Sequence, residues 1–108
     1  MKILFQGDSI TAGQIYVNMV SGRLGADYPG EHEFINRGIS GNRVVDIYAR
    51  IKKDIINLKP DFMSILIGVN DVWHEVDYMN DGVDADKYGM VYELLIQEVK
   101  AALPISKL

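Results

Sequence analysis

The sequence predicts an α/β fold with a parallel sheet, and two observations carry the prediction. Short apolar segments at residues 2–6, 34–36 and 62–67 alternate with stretches whose apolar residues recur at helical spacing. Strands that alternate with helices favour parallel pairing through right-handed crossovers. A polar motif containing glycine also follows each apolar segment. Because the carboxyl ends of parallel strands share one edge of a sheet, the three motifs should meet there.

In the first half of the chain, the sequence predicts two strands and one helix. The strand over residues 2–6 ends at Gly7, because glycine followed by polar residues marks a turn. The apolar spacing over residues 16–24 predicts a helix that stops near Gly25. The second strand, 34–36, then leads into a loop at 38–42 that contains two glycines.

A longer helix is predicted over residues 44–58, where Asp46 and Arg50 would form an i,i+4 ion pair and Pro60 would end it. Its apolar stripe consists of Val44, Ile47, Tyr48, Ile51, Ile55 and Leu58.

The last part of the chain predicts a strand, a loop and a helix. Residues 62–67 are nearly all apolar, which is typical of a parallel strand covered on both faces. The aspartate-rich stretch 76–86 predicts a solvated loop, because it lacks the terminal glutamate of an EF-hand calcium loop. Asp84 is placed to cap a final helix that ends before Pro104.

Composition limits the classes of protein to consider. The 108 residues are 48% hydrophobic, carry a net charge of −4 and contain no cysteine, which predicts a single globular domain over residues 1–108. The acidic balance disfavours nucleic acid as a partner, and the missing cysteines exclude disulfides and thiolate chemistry. We expect no metal or cofactor. No membrane span is expected either, and the short N-terminal apolar run predicts a cytoplasmic protein without a signal peptide.

Three motifs together resemble those of the SGNH hydrolases, also called the GDSL esterase/lipase family. The first is Gly-Asp-Ser-Ile-Thr at residues 7–11, the second Asn-Arg-Gly-Ile-Ser-Gly-Asn at 36–42, and the third Gly-Val-Asn-Asp at 68–71. Their order, spacing and position after predicted strands match the family. The resemblance implies a flavodoxin-like three-layer α/β/α fold and a serine ester hydrolase of the esterase, lipase or acylhydrolase type. Its substrates would be small acyl esters, acetylated carbohydrates among them.

The resemblance also implies the roles of individual residues. Ser9 would be the nucleophile, and its backbone N–H, the Gly41 backbone N–H and the Asn70 side-chain amide would bind the oxyanion. Asp8 would order the nucleophile loop, and we group it with Asp71 and His74 around the substrate. Each residue also has an ordinary structural explanation: a cap or turn for Ser9, positive φ for Gly41, and an Asx-turn for Asn70.

The sequence departs from the family where the triad should be completed. The family's Asp-x-x-His block, which supplies the acid and base, is not found, so the match covers the N-terminal portion through the third strand–helix unit. Asp71 and His74 have the same spacing but overlap the third motif, so we assign His74 to the pocket lining. The segment after Thr11 is also shorter than in some relatives, which would alter the rim of the pocket.

These departures leave other functions open. The chain could be a catalytically incomplete fragment, a non-enzymatic module that binds an ester or carboxylate, or an unrelated flavodoxin-like binding domain. With no fourth strand beside it, strand 62–67 would form an apolar sheet edge, which predicts self-association. His32, between two glutamates, is expected to be a solvated surface residue.

Overall fold

The computed structural model describes residues 1–77 and 81–103, excluding the side chains of 75–77. Three parallel strands form an open sheet: β1 (Lys2–Gly7), β2 (Glu33–Asn36) and β3 (Phe62–Leu66). Their order is β2-β1-β3, so β1 is central. In the register, Leu4 of β1 lies opposite Ile35 of β2 and Met63 of β3. The α/β fold with a parallel sheet is thereby confirmed.

Within the described residues, six helices flank the sheet: α1 (Ser9–Ala12), α2 (Ile15–Asp27), α3 (Val44–Ala49), α4 (Ile51–Asp54), α5 (Val69–Asp77) and α6 (Ala85–Ala102). A 3₁₀ turn over Ile56–Leu58 follows α4. Asp84 caps α6 as predicted, with its carboxylate accepting a hydrogen bond from the Lys87 N–H at 2.9 Å. Among the helices of the described ranges, none has the length and apolar character needed to cross a membrane.

The two faces of the sheet carry separate hydrophobic clusters, as alternation along a strand requires. On one face, Leu4 and Met63 pack with α3, α4 and α6 in a cluster of fully buried side chains. On the other face, Ile3 and Phe5 pack against Val17 of α2. Helices on both faces of a parallel sheet give the three-layer arrangement.

The predicted helix over residues 44–58 is not continuous, because the backbone breaks at Arg50 (φ −106°, ψ 23°). The predicted Asp46–Arg50 ion pair is also wrong. Asp46 pairs with Arg43 at 2.9 Å, and Arg50 pairs with Asp54 at 2.9 Å. The apolar period correctly placed Ile47, Ile51 and Ile55 in the core. It gave no sign of the break.

Three further features differ from the sequence prediction: the end of α2, the exposure of β3 and the burial of His32. The helix predicted to stop near Gly25 continues to Asp27, because a glycine lowers helix propensity without ending a helix. In β3, Phe62 and Leu66 are partly exposed, so the strand is covered fully on one face only. His32 is half-buried between the rings of Tyr28 and Phe34, which corrects its placement on the solvated surface.

The aspartate-rich stretch is partly a helix, because α5 extends to Asp77. Residues 78–80 of this predicted loop lie outside the described residues. On the far side, the Asp81 N–H donates to the His74 carbonyl at 3.0 Å and the Val83 N–H donates to the Asp71 carbonyl at 3.1 Å. These two bonds hold the segment before α6 against α5.

Candidate active site

Ser9 is the first residue of α1, immediately after the carboxyl end of β1. The cap of this helix is Asp8, whose carboxylate Oδ1 accepts a hydrogen bond from the Ile10 N–H at 3.0 Å. The first N–H groups of a helix have no acceptor within the helix, and here the Asp8 carboxylate accepts the hydrogen bond from the Ile10 N–H. The Ser9 N–H is therefore left as a donor for a ligand, and the Ser9 side chain is exposed.

Asp8 is almost completely buried beneath this turn. Its second oxygen, Oδ2, is buried without a hydrogen-bond partner in the described part of the chain. Further along α1, the Thr11 hydroxyl bonds the Tyr16 hydroxyl at 2.6 Å, and Thr11 is itself fully buried. The turn that carries Ser9 is thus anchored from below, while Ser9 itself is exposed to solvent.

The second loop is bonded directly to the first. The Asn36 side chain donates to the Thr11 carbonyl at 2.7 Å and accepts from the Gly38 N–H at 2.8 Å. The Ile39 N–H donates to the Gly7 carbonyl at 3.1 Å. The ends of β1 and β2 therefore bring residues 7–12 and 36–39 into contact at one edge of the sheet.

Glycine is required at Gly38 by close packing and at Gly41 by backbone conformation. A Cβ on Gly38 would lie 2.5 Å from the Ala12 nitrogen and 2.9 Å from the Asp8 carbonyl oxygen, both backbone atoms. Gly41 has φ +82°, a region that side chains disfavour. No atom of the described residues lies within 4 Å of the position of its Cβ, so this stretch of backbone is open to solvent.

Asn70 connects the third motif to the second. The expected loop at residues 68–71 is instead the start of α5, and Asn70 lies in its first turn. Its Nδ2 donates to the Asn42 carbonyl at 3.1 Å. Because an amide nitrogen carries two hydrogens, one can orient the group while the other remains available to a ligand. The three motifs thus form one continuous hydrogen-bonded edge.

Asp71 lies beneath this edge and is almost completely buried. Its two carboxylate oxygens accept from the Val44 N–H at 3.0 and 3.3 Å, which caps the start of α3. Burial raises the pKa of Asp71 above its ordinary value, and the hydrogen bond from Val44 opposes that rise. The structure therefore places Asp71 as a support for the loop.

The remaining predicted residue, His74, lies one helical turn beyond Asn70 in α5 and is half-buried. Trp73, beside it, is exposed. A cavity of about 260 Å³ adjoins the third motif and is lined by Gly68, Asp71, Val72, Val83, Ala85 and Tyr88. The Tyr88 hydroxyl donates to the Ile67 carbonyl at 2.9 Å, so α6 is tied to the end of β3.

Sequence reasoning missed Arg43 and Arg50, two arginines that hold this edge. Arg43 pairs with Asp46 and donates to the carbonyl and the side chain of Asp81. Arg50 reaches the second loop from the break between α3 and α4. The available signal was that each arginine has an acidic residue three or four positions later.

In the parts of the chain that the structure describes, no three His, Asp or Glu side chains are grouped to hold a metal ion. Positions 78–80 of the acidic stretch fall outside this statement.

Comparison with known proteins identifies the family. The family described as GDSL-like lipase/acylhydrolase matches residues 5–108. The chain belongs to this family. An acetylxylan esterase from Geobacillus stearothermophilus is 41% identical to this family member over 92% of the chain. The alignment covers 54% of that esterase, so the chain spans about half the length of the relative.

Solved structures of family members share the fold. The acetyl xylan esterase AlAXEase superposes with a TM-score of 0.90 and 34% identity, over 100% of this chain and 56% of that one. The Geobacillus acetylxylan esterase Axe2 superposes with a TM-score of 0.87 and 38% identity, over 98% of this chain and 57% of that one. Three further structures of Axe2 are described as catalytic mutants, in which a serine, an aspartate and a histidine are each replaced by alanine.

Proposed function

We propose that this chain supplies the nucleophile and the oxyanion-binding groups of a carboxylic ester hydrolase. Ser9 Oγ attacks the acyl carbonyl carbon and passes its proton to a general base. The carbonyl oxygen becomes an oxyanion, held by the Ser9 and Gly41 backbone N–H groups and one Asn70 amide N–H. The alcohol leaves with a proton, and water then releases the acid from the acyl-serine. The observation that carries the proposal is the bonding of three motifs into one edge.

The substrate class that we propose is small acyl esters, including acetylated carbohydrates. The relatives described as acetylxylan esterases support this choice, since their identity to the chain is 34–41%. The Ser9 side chain and the Gly41 backbone are both exposed in this chain, as groups that contact a substrate must be. Asp8, Asp71 and His74 would border or support this site.

The general base is the part of the triad that this chain does not clearly supply. In Axe2, the aspartate and histidine of the catalytic mutants lie three positions apart, the spacing of an Asp-x-x-His block. In this chain only Asp71 and His74 have that spacing, and Asp71 is committed to the Val44 N–H. A second candidate function therefore stands: a module that binds an ester or carboxylate without turning it over.

The test compares the chain with its Ser9→Ala variant in hydrolysis of 4-nitrophenyl acetate and acetylated xylooligosaccharides. Catalysis by Ser9 predicts release of acetate that the variant lacks, whereas equal rates contradict it. Acetate binding without turnover, followed by NMR shifts of the Gly41 amide, would favour the binding module. Where activity is found, His74→Ala decides whether His74 is the base, because an unchanged rate eliminates it.

A further inference from the structure

One arginine is bonded to both the first and the second of the three loops that the proposed reaction uses. The guanidinium of Arg50 donates to the Asn42 Oδ1 through Nε at 3.0 Å and through a terminal nitrogen at 2.8 Å. It also donates to the Arg37 carbonyl at 3.0 Å and, more weakly, to the Gly7 carbonyl at 3.5 Å. Its remaining bond, 2.9 Å long, goes to the buried Asp54.

These acceptors lie on both sides of the proposed oxyanion site. Gly7 precedes the turn of Ser9 by two residues, whereas Arg37 and Asn42 flank the loop that carries Gly41. Asn42 is fixed twice, because its side chain accepts from Arg50 and its backbone carbonyl accepts from Asn70. Asn42, the residue next to Gly41, is therefore bonded to Arg50 at the break between α3 and α4 and to Asn70 of α5.

The geometry points to Arg50 as a positioning residue that fixes the Gly41 loop relative to the Ser9 turn. An oxyanion site accelerates acyl transfer only when its donors are held in place before the reaction. Gly41 itself, exposed and with positive φ, has little side-chain packing to hold it. A planar guanidinium with five donors suits this role, since it can bind a side chain, two carbonyls and a carboxylate together.

The burial of Arg50 supports a role beyond an ordinary ion pair. Its side chain is 14% exposed, and Asp54 below it is also buried. Arg23 and Asp27 form an i,i+4 pair of the same length, 2.9 Å, but Arg23 is 81% exposed on α2. The chain thus contains a matched control that has the same residues and spacing without the loop contacts.

The test uses Arg50→Lys, with Arg23→Lys as control, on the 108-residue chain. Lysine retains the charge for Asp54 but cannot form the two bonds to Asn42. We expect hydrogen exchange of the Ile39 amide, which bonds the Gly7 carbonyl, to become about 10- to 100-fold faster. Hydrogen exchange of the β1 amides should not change in Arg50→Lys. The control Arg23→Lys should change neither the exchange of Ile39 nor that of β1. Unaltered Ile39 exchange in Arg50→Lys would overturn the inference.

Asn42→Ala provides a second route, in case Arg50→Lys lowers stability throughout the molecule. This variant removes the acceptor and leaves the Arg50–Asp54 pair in place. It should also accelerate Ile39 exchange, and the double variant should be no faster than Arg50→Lys alone, because that substitution already removes the bonds to Asn42. Additive effects would contradict the inference.

The catalytic consequence rests on the proposed function and is measured separately. Phosphonylation of Ser9 by a 4-nitrophenyl alkylphosphonate, followed by mass spectrometry, should slow about 10- to 100-fold in Arg50→Lys at a temperature where both proteins are folded. If Ser9 does not react even in the unsubstituted chain, the proposed function fails. Ile39 exchange still decides whether Arg50 fixes the loop.

Discussion

At the scale of single residues, the glycines and buried carboxylates of the three motifs have separable roles. Gly38 allows two backbone segments to approach closely, whereas Gly41 supplies a positive φ. Asp8 caps α1, and Asp71 caps α3. Substitutions that remove these contacts or backbone conformations should move the loops that carry Ser9 and Asn70 and lower the stability of the fold together.

Gly38→Ala should destabilise the fold by about 1–3 kcal/mol, because the new Cβ meets backbone atoms of the Ser9 turn that cannot rotate away. Gly22→Ala is the matched control. Gly22 lies inside α2 with no neighbour within 4 Å of the added carbon, so alanine should stabilise by about 0.5–1 kcal/mol. Urea unfolding of both variants measures the difference, and equal effects would contradict the packing described at Gly38.

Asp71 makes a prediction about pH. Burial raises its pKa in the folded protein above the ordinary value of 3.8, so the folded state holds this proton more readily than the unfolded chain. Stability is therefore lost as pH rises from below 3.8 through the raised pKa. Asp71→Asn keeps an oxygen that accepts from the Val44 N–H. It removes the loss of stability with rising pH, because an amide does not titrate.

Urea unfolding of wild type and Asp71→Asn between about pH 3 and 7 measures this effect. The stability of wild type relative to the variant should fall with rising pH and then level off. Asp27→Asn on the exposed face of α2 serves as control. A relative stability that rises with pH would show that Asp71 is stabilised as a carboxylate.

At the scale of elements, α6 holds the end of β3 through a small number of buried positions. Leu95 and Val99 are buried in the same cluster as Leu4 and Met63, and Tyr88 bonds the carbonyl of Ile67. The third motif begins directly after Ile67. Packing of α6 should therefore determine both the stability of the domain and the position of α5.

Leu95→Ala should cost about 2–5 kcal/mol, because it leaves a cavity in a fully buried cluster. Leu94→Ala is a control of identical chemistry one residue earlier, where the side chain is 44% exposed, and it should cost about 0.5 kcal/mol or less. Thermal or urea melts compare the two. A larger loss for Leu94→Ala would mean that the face of α6 is wrongly placed.

The elements also show which features were predictable from sequence. Strand positions followed from short apolar runs, and the cap at Asp84 followed from its position before an apolar period. The break at Arg50 could not be read from periodicity, because the apolar residues continue through it at helical spacing. The start of α5 at Val69 was missed because a glycine–asparagine motif also fits a loop.

In the candidate site, too, some features were predictable from the sequence and others were not. Three short motifs predicted Ser9, Gly41 and Asn70 as site residues, and the parallel sheet explains why those motifs meet. Arg50 was missed because its partners are carbonyls and an amide from distant segments, which leave no periodic mark. Asp71 was placed near the substrate, yet its oxygens bind the Val44 N–H, a contact that joins residues 27 positions apart.

At the scale of the whole molecule, the sheet of the described residues ends at β3. The partly exposed Phe62 and Leu66 lie on this edge strand, and the exposed Val69, Val72 and Trp73 continue from it along α5. An apolar edge of this kind can pair with another chain. We therefore expect the 108-residue chain to associate with itself at raised concentration.

Sedimentation velocity over a range of concentrations measures this association. Leu66→Lys should reduce it, because a charge on the edge strand opposes pairing, whereas Met19→Lys on exposed α2 should not. A monomer at every concentration, with a single cooperative melt, would contradict the expectation.

The central claim is that three loops at one sheet edge prepare Ser9 for acyl chemistry. Labelling with a 4-nitrophenyl alkylphosphonate tests it most directly, because the adduct forms on the nucleophile and resembles the tetrahedral intermediate. The account predicts one adduct, on Ser9, that is absent in Ser9→Ala and forms about 100- to 1,000-fold more slowly in Asn70→Ala. An adduct elsewhere, or none on Ser9, would contradict the account.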